Sequence, residues 1–248
     1  MADPQSPYAV LADLHGNEAA TRAVIEYLDG QALGDVYCLG DLVGYGQGSP
    51  FCVSEARRRG WVCIQGNHDA QVRPPRDPFF RAAAQVGLDL ALGQLSDDDI
   101  DWLASLPAEL TVPERGIVLV HGALTGRDDY ILDSEALAEN EARMYVRPEK
   151  LMFFGHTHLP MVLGAGKRQA RFPQTTTVSL AADEKYLVNP GSVGQPRDDH
   201  PEMSFALVYP ADRRLEIVRL VYDVSAEQAR MRRANLPEKS WKRLAVGR

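Results

Sequence analysis

Short apolar runs that alternate with amphipathic segments constrain the fold of this chain most strongly. YAVLAD is typical of a buried strand, and NEAATRAVIEYLDG predicts an amphipathic helix that begins at a capping Asn17 and ends near Gly30. DVYCLGD and WVCIQGNHD predict two further strands. Between them, Ser49 and Pro50 supply an N-cap and first-turn pair for a helix that ends at Gly60. This β-α-β-α-β order indicates a parallel sheet.

The middle of the chain predicts helices and a hairpin. A helical stretch runs from about Phe79 to Leu106, with Ser96 capping its second half. AELTVPERGIVLVHG is typical of a hairpin that turns at Glu114 to Gly116, and SEALAENEARMY predicts a further helix.

LMFFGHTHLP begins with four apolar residues, which predict a buried strand ending at Gly155. From Met161 onward, short runs between turn residues predict mainly antiparallel strands. Because no repeat or linker marks a boundary, we expect residues 1–248 to form a single domain.

Composition excludes some classes of partner. The 248 residues are 45% hydrophobic and 25% charged, as in ordinary globular proteins, and the net charge of -7 disfavours binding to a nucleic-acid polymer or an anionic membrane.

The three cysteines form no C-x-x-C pair and predict reduced core thiols. The N-terminus does not resemble a signal peptide, and no run approaches the roughly 20 apolar residues of a membrane span. We therefore expect a cytoplasmic protein.

Polar residues with metal-binding side chains follow each of five predicted strands. These clusters are DLHGN (Asp13, His15), GD (Asp41), GNHD (Asn67, His68, Asp69), VHG (His121) and GHTH (His156, His158). For a lone histidine, a hydrogen-bonded loop residue is the better interpretation, but for a pair at i and i+2 metal ligation is at least as well supported. Carboxylate, amide and imidazole ligands without cysteine suit manganese, iron, zinc, cobalt or nickel. Seven candidate ligands are too many for one tetrahedral ion and suit two ions that share a carboxylate.

The ordered set D-x-H, GD, GNHD, H-G and GHTH resembles the calcineurin-like metallophosphoesterase superfamily. NPGSVGQPRD and GDLVGYG are similar to its small bacterial phosphodiesterase branch. The resemblance implies an α/β fold, a four-layer αββα sandwich with two mixed β-sheets and a dinuclear centre between them. Carried over by position, Asp41 bridges two divalent ions, with manganese as the expected metal. The other ligands are Asp13, His15 and His158 on the first ion and Asn67, His121 and His156 on the second.

The resemblance also implies a reaction. A hydroxide bridging the metals would attack the phosphorus of a small phosphodiester in line with the leaving oxygen. His68, oriented by Asp69, would protonate that oxygen, while Arg197 and Asn67 would bind substrate. Backbone amides of NPGSVGQPRD are further candidates for phosphate binding, and GYGQG is expected to be a mobile loop at the rim with room for a second ester arm.

Alternatives remain at this point. A phosphomonoesterase, including a protein Ser/Thr phosphatase, uses the same chemistry, although GDLVGYG stands where those phosphatases have GD-x-V-D-R-G. A non-catalytic interaction scaffold, as in a retromer subunit of the family, is disfavoured because His68 and every inferred ligand are present. A nuclease would need a basic groove. Core packing is the default expectation for four aromatic residues, with contact to the leaving group as the alternative: Tyr45, Phe79, Phe80 and Tyr130. The basic C-terminal segment is expected to be the solvated face of terminal helices.

Overall fold

A computed structural model describes residues 3–78, 80, 82–164, 167–170 and 172–248; Phe79, named above, lies outside them. The strands are β1 (Tyr8–Leu11), β2 (Asp35–Cys38), β3 (Val62–Cys63), β4 (Glu109–Val112), β5 (Ile117–Val120), β6 (Leu151–Phe153), β7 (Met161–Gly164), β8 (Lys167–Ala170), β9 (Thr176–Ser179), β10 (Tyr186–Asn189), β11 (Met203–Tyr209) and β12 (Arg214–Leu220). The α-helices are α1 (Glu18–Asp29), α2 (Ser49–Arg58), α3 (Asn67–Ala70), α4 (Ala82–Leu92), α5 (Asp97–Ser105), α6 (Ser134–Tyr145), α7 (Val224–Arg233) and α8 (Glu238–Lys242).

The described strands form two six-stranded mixed sheets. The first has the order β3-β2-β1-β11-β12-β9, and the second has the order β4-β5-β6-β10-β7-β8. β1, β2 and β3 are parallel, as their alternation with helices predicts. The strands after β6 pair in antiparallel fashion, as predicted, except that β10 lies parallel to β6.

Alternate residues of β1 face different layers of the molecule. Ala9 and Leu11 of β1 pack with α1 and α2, whereas Tyr8 and Val10 face the second sheet and pack with residues such as Phe153. A third apolar cluster lies on the outer face of the second sheet, against α6. The period-2 alternation of side chains on a strand thus gives the four-layer αββα sandwich, and the predicted fold class is confirmed.

Local differences from the predicted elements occur next to the strand ends. The third strand is ladder-paired only over Val62–Cys63, and the predicted polar loop after it begins with one turn of helix, α3. The N-cap of α2 is Gly48 instead of Ser49, because the Cys52 amide donates to the Gly48 carbonyl at 3.0 Å. The helical stretch from Phe79 divides into α4 and α5, and Ser96 caps α5 as predicted.

The remaining expectations concern thiols, membrane spans and the C-terminal segment. Cys38, Cys52 and Cys63 are buried and form no disulfide, which confirms core thiols. Over the described part of the chain, no helix combines the length and the apolar character needed to cross a membrane. Arg232 of α7 and Lys239 of α8 are exposed, as expected for a solvated face.

Candidate metal centre and active site

The candidate ligands lie where strands end in left-handed backbone turns. Five of them have φ angles between 49° and 63°: Asp13, His15, Asp41, His156 and His158. Non-glycine residues in this region cost about 1–2 kcal/mol each and cluster at functional sites. The turns aim side chains that are two residues apart in sequence into the same space between the sheets.

One ligand group consists of Asp13, His15 and His158. The Nε2 atoms of the two imidazoles lie 3.1 Å apart, and Nε2 of His158 is 3.4 Å from Oδ1 of Asp13. Their Nδ1 atoms lie 3.2 Å from the Val43 carbonyl and 2.6 Å from the Gln195 carbonyl. Because a carbonyl only accepts, it favours a proton on Nδ1, which leaves two Nε2 lone pairs facing each other. A cation between them removes this repulsion.

A second ligand group surrounds His121. Its Nε2 lies 3.4 Å from Oδ2 of Asp41 and 3.1 Å from Oδ1 of Asn67, while its Nδ1 is 2.7 Å from the Leu39 carbonyl. Asp41, His121 and His156 each offer a ligand atom within 4.8 Å of the others. Nε2 of His156 is buried and has no hydrogen-bond partner among the described residues.

Asp41 belongs to both groups. Its Oδ2 atom is 3.5 Å from Nε2 of His15 and 3.4 Å from Nε2 of His121. All seven predicted ligands therefore converge, and Asp41 is the carboxylate that contacts both groups. The buried, unpartnered Oδ1 of Asp13 fits the same role, since a buried carboxylate oxygen requires a partner.

Burial sets the protonation states of most of these ligands. It lowers the pKa of His156 to about 3 and holds the pKa values of His15 and His158 well below their usual range. Burial also raises the pKa of Asp13 to about 7, whereas the neighbouring histidines hold that of Asp41 well below its usual range despite burial. These three histidines are thus neutral at pH 7, which is the form that binds a metal.

His68 lies beside both groups, at the N-terminal end of α3. Its ring centroid is 4.6 Å from that of His15 and 4.7 Å from that of Phe80, and burial lowers its pKa to about 4. One ring nitrogen lies within 4.8 Å of ligand atoms of His15 and Asp41, so distance alone does not separate this residue from the ligands. Its Nδ1 has no partner among the described residues.

The structure gives Asp69 a different contact from the one expected. Its carboxylate accepts hydrogen bonds from the backbone amides of Gly66 at 3.0 Å, Asp41 at 2.7 Å, Leu42 at 3.0 Å and Val43 at 3.3 Å. It does not bond to the imidazole of His68. Asp69 therefore holds the turn after β2 against the turn after β3, and its predicted role in orienting His68 would act through this backbone network instead of a direct contact with the ring.

A cavity of about 510 Å³ opens over the metal-ligand groups. Asp41, Asn67, His68, His156 and His158 reach its lining. The other lining residues include three arginines and three aromatic side chains: Arg76, Arg127, Arg197, Tyr45, Phe80 and Tyr130. Arg197 was predicted from the sequence, whereas Arg76 and Arg127 were not. The available signal for Arg127 was its place in the loop after the VHG strand.

The comparison with known proteins decides the family. Residues 8–213 match the model of the calcineurin-like phosphoesterase superfamily domain. The chain belongs to this superfamily. This phosphoesterase is 29% identical, over 98% of its own length and 99% of the relative's, to an uncharacterised protein from Methanocaldococcus jannaschii.

Two solved structures share the fold over nearly the whole chain. A metallophosphoesterase from Sphaerobacter thermophilus is 29% identical, with a TM-score of 0.85 over 98% of this chain and 99% of that chain. A hypothetical protein from Pyrococcus horikoshii is 21% identical, with a TM-score of 0.76 over 98% of both chains, and supports the fold alone.

Two loops of the phosphoesterase differ from expectation. Amides of NPGSVGQPRD are used within the protein: those of Val193 and Gly194 donate to the carbonyls of Ala12 and Asp13 at 3.0 and 2.9 Å. They support the Asp13 turn instead of being presented to phosphate. The GYGQG segment is largely buried and packs on the turn at His15. It therefore does not form an open edge of the site, and the room for a second ester arm lies in the cavity instead.

Proposed function

We propose that this phosphoesterase hydrolyses small phosphodiesters at a centre that holds two divalent ions, with residues 1–248 acting as one domain in the cytoplasm. The observation that carries the proposal is the position of Asp41, whose carboxylate lies between His15 of one buried ligand group and His121 of the other, beneath an open cavity. The family is metal-dependent, and the unpartnered atoms of Asp13 and His156 fit ligation. Two ions, when bound, lower the pKa of a water held between them and offset phosphoryl charge.

The chain's own residues supply binding and proton transfer. Arg197 and Asn67 line the cavity together with Asp41 and are proposed to hold the phosphoryl oxygens. His68 is proposed to act on the leaving oxygen: its buried ring is neutral at pH 7, and an approaching anionic phosphoryl group favours the protonated form that the acid role requires.

A phosphomonoesterase is the second candidate, because a specific observation favours it. A monoester carries about two negative charges at neutral pH, and the cavity offers guanidinium groups in addition to the metal ligands. Burial and, after it, the positive charge of Arg197 hold the pKa of His158 well below its usual range, so this guanidinium acts on the ligand groups. Arg197 is therefore the residue that decides between the two substrates.

The test uses metal-free protein reconstituted separately with manganese, iron, zinc, nickel or cobalt. Bis(4-nitrophenyl) phosphate and 4-nitrophenyl phosphate are compared on each preparation, and manganese is expected to support a higher kcat/KM for the diester. A preference for the monoester that disappears in Arg197→Ala would support the phosphomonoesterase. Two bound equivalents of each metal without hydrolysis of either ester would instead support a non-catalytic scaffold.

A further inference from the structure

Arg127 is held rigidly at the cavity by the loop that follows β5. Reciprocal backbone hydrogen bonds join Ala123 and Gly126 at 3.0 and 3.2 Å, and a Cβ added to Gly122 would lie 2.4 Å from the Arg127 carbonyl oxygen. This close approach fixes the backbone of the loop. The loop begins directly after His121, so Arg127 has a defined position relative to the metal centre.

The Arg127 guanidinium is oriented but has unused donors. Its Nη1 donates to Oε1 of Gln65 at 2.7 Å, and Gln65 in turn donates to the Leu103 carbonyl at 3.0 Å. Its Nε is buried without a partner among the described residues, and Nη2 lies 3.8 Å from Oδ2 of Asp128, beyond hydrogen-bond distance. Nη2 therefore keeps donor capacity for a charge-assisted hydrogen bond to an anion in the cavity.

The carboxylate of Asp128 is a weak competitor for this donor. The Asp128 side chain is 67% exposed, whereas that of Arg127 is 27% exposed. An exposed ion pair at this distance contributes little in water. A phosphate group entering the cavity replaces it with charge-assisted hydrogen bonds.

Arg127 and Arg197 adjoin different residues of the cavity wall. Arg197 packs near Tyr45, with its guanidinium carbon 5.9 Å from the ring centroid, and the Tyr45 ring contacts that of His68. Arg127 adjoins Gln65 and the segment leading to Tyr130, whose ring lies 3.9 Å from that of His156. The leaving oxygen belongs on the His68 side, so the other arm of a diester extends toward Arg127.

We propose that Arg127 binds a second phosphate group, carried by the arm of the diester that does not depart. This inference rests on the proposed function and specifies its substrate class: diesters whose retained arm bears an additional phosphate. A simple diester carries one negative charge, which the metals and Arg197 already compensate, and leaves Arg127 without a ligand.

The experiment compares two substrates that differ by one group. Thymidine 5′-(4-nitrophenyl phosphate) and its 3′-phosphorylated form share the scissile bond and the leaving group. With manganese, the wild type is expected to favour the 3′-phosphorylated ester about tenfold in kcat/KM, as one or two charge-assisted hydrogen bonds predict. Arg127→Gln should bring the ratio to about 1, and Arg127→Lys should keep part of it. Arg143→Gln, at an exposed arginine of α6, is the matched control and should keep the full ratio.

A binding measurement separates this inference from the proposed function. Calorimetry on the manganese protein compares thymidine 3′,5′-bisphosphate with thymidine 5′-monophosphate. If neither ester is hydrolysed, the proposed function fails, but an affinity gain from the 3′-phosphate that disappears in Arg127→Gln still supports the inference. Equal binding of the two nucleotides by the wild type, or a 3′-phosphate preference that survives in Arg127→Gln, overturns it.

Discussion

Asp69 accepts a hydrogen bond from the backbone amide of Asp41 at 2.7 Å, although 28 residues separate them. In the opposite direction, Oδ1 of Asp41 accepts from the backbone amide of His68 at 2.8 Å. The carboxylate expected to be shared by the metals and the residue expected to protonate the leaving group thus belong to one reciprocal hydrogen-bond network. A shift of Asp41 is therefore expected to move His68 as well.

Replacement of Asp69 should therefore weaken both the fold and the site. Asp69→Ala leaves four buried amides without an acceptor, and we expect the free energy of unfolding to fall by about 3–5 kcal/mol, as for other broken buried charged networks. Urea denaturation of the metal-free protein measures this loss. Asp183→Ala, on an exposed turn, is the control and should change stability by less than about 0.5 kcal/mol. A loss equal to that of the control would show that the amides find other acceptors.

Asp41→Asn should lose the metal pair. A neutral amide cannot compensate two neighbouring cations, so we expect less than two equivalents of metal and loss of most activity. His15→Ala and His156→Ala should each weaken a different ion, because they belong to different ligand groups. Elemental analysis after gel filtration makes the measurement. Two full equivalents in Asp41→Asn would refute the bridging role.

His68→Ala should separate proton donation from metal binding. We expect two retained metal equivalents and a loss of roughly 10² to 10⁴ in kcat for an alkyl ester. The loss should be much smaller for a nitrophenyl ester, because nitrophenolate departs without protonation. Metal content matters here, since His68 lies as close to Asp41 and His15 as the ligands do. An equal loss for both leaving groups, or a lost metal, would contradict the acid role.

Gly44→Ala should displace His68 without touching a ligand. Gly44 has φ of +91°, and an added Cβ would lie 2.1 Å from Nδ1 of His68. We expect kcat to fall roughly as in His68→Ala, by 10²-fold or more, with the metals retained. Gly60→Ala is a matched control, because Gly60 also has positive φ (+65°) but an added Cβ meets nothing within 4 Å. It should lose about 1–2 kcal/mol of stability from backbone strain and keep its kcat.

The sequence predicted the parallel strands and the candidate ligands that follow them, and the resemblance to the family implied the four layers. Period-2 and helical periodicity predicted β1 to β3 and α1, and side chains that follow parallel strands must meet at one edge of the sheet. That is why Asp13 and Asp41, which follow β1 and β2 of one sheet, could be grouped from the sequence pattern, whereas His121, which follows β5 of the other sheet, was added by the order of the family's motifs. These are local patterns, and their geometric consequence is the same in every right-handed β-α-β unit.

Only the tertiary structure decided which groups outside these patterns reach the site. The bonds from Asp69 to the amides of residues 41–43, the packing of Gly44 on His68 and the contact of Arg127 with Gln65 each join segments at least 24 residues apart in the chain. No local preference encodes such contacts, because a side chain's partner depends on how two separately formed loops pack together. That packing brings three arginines to the cavity lining. The net charge of the whole chain is negative and did not indicate this local positive charge.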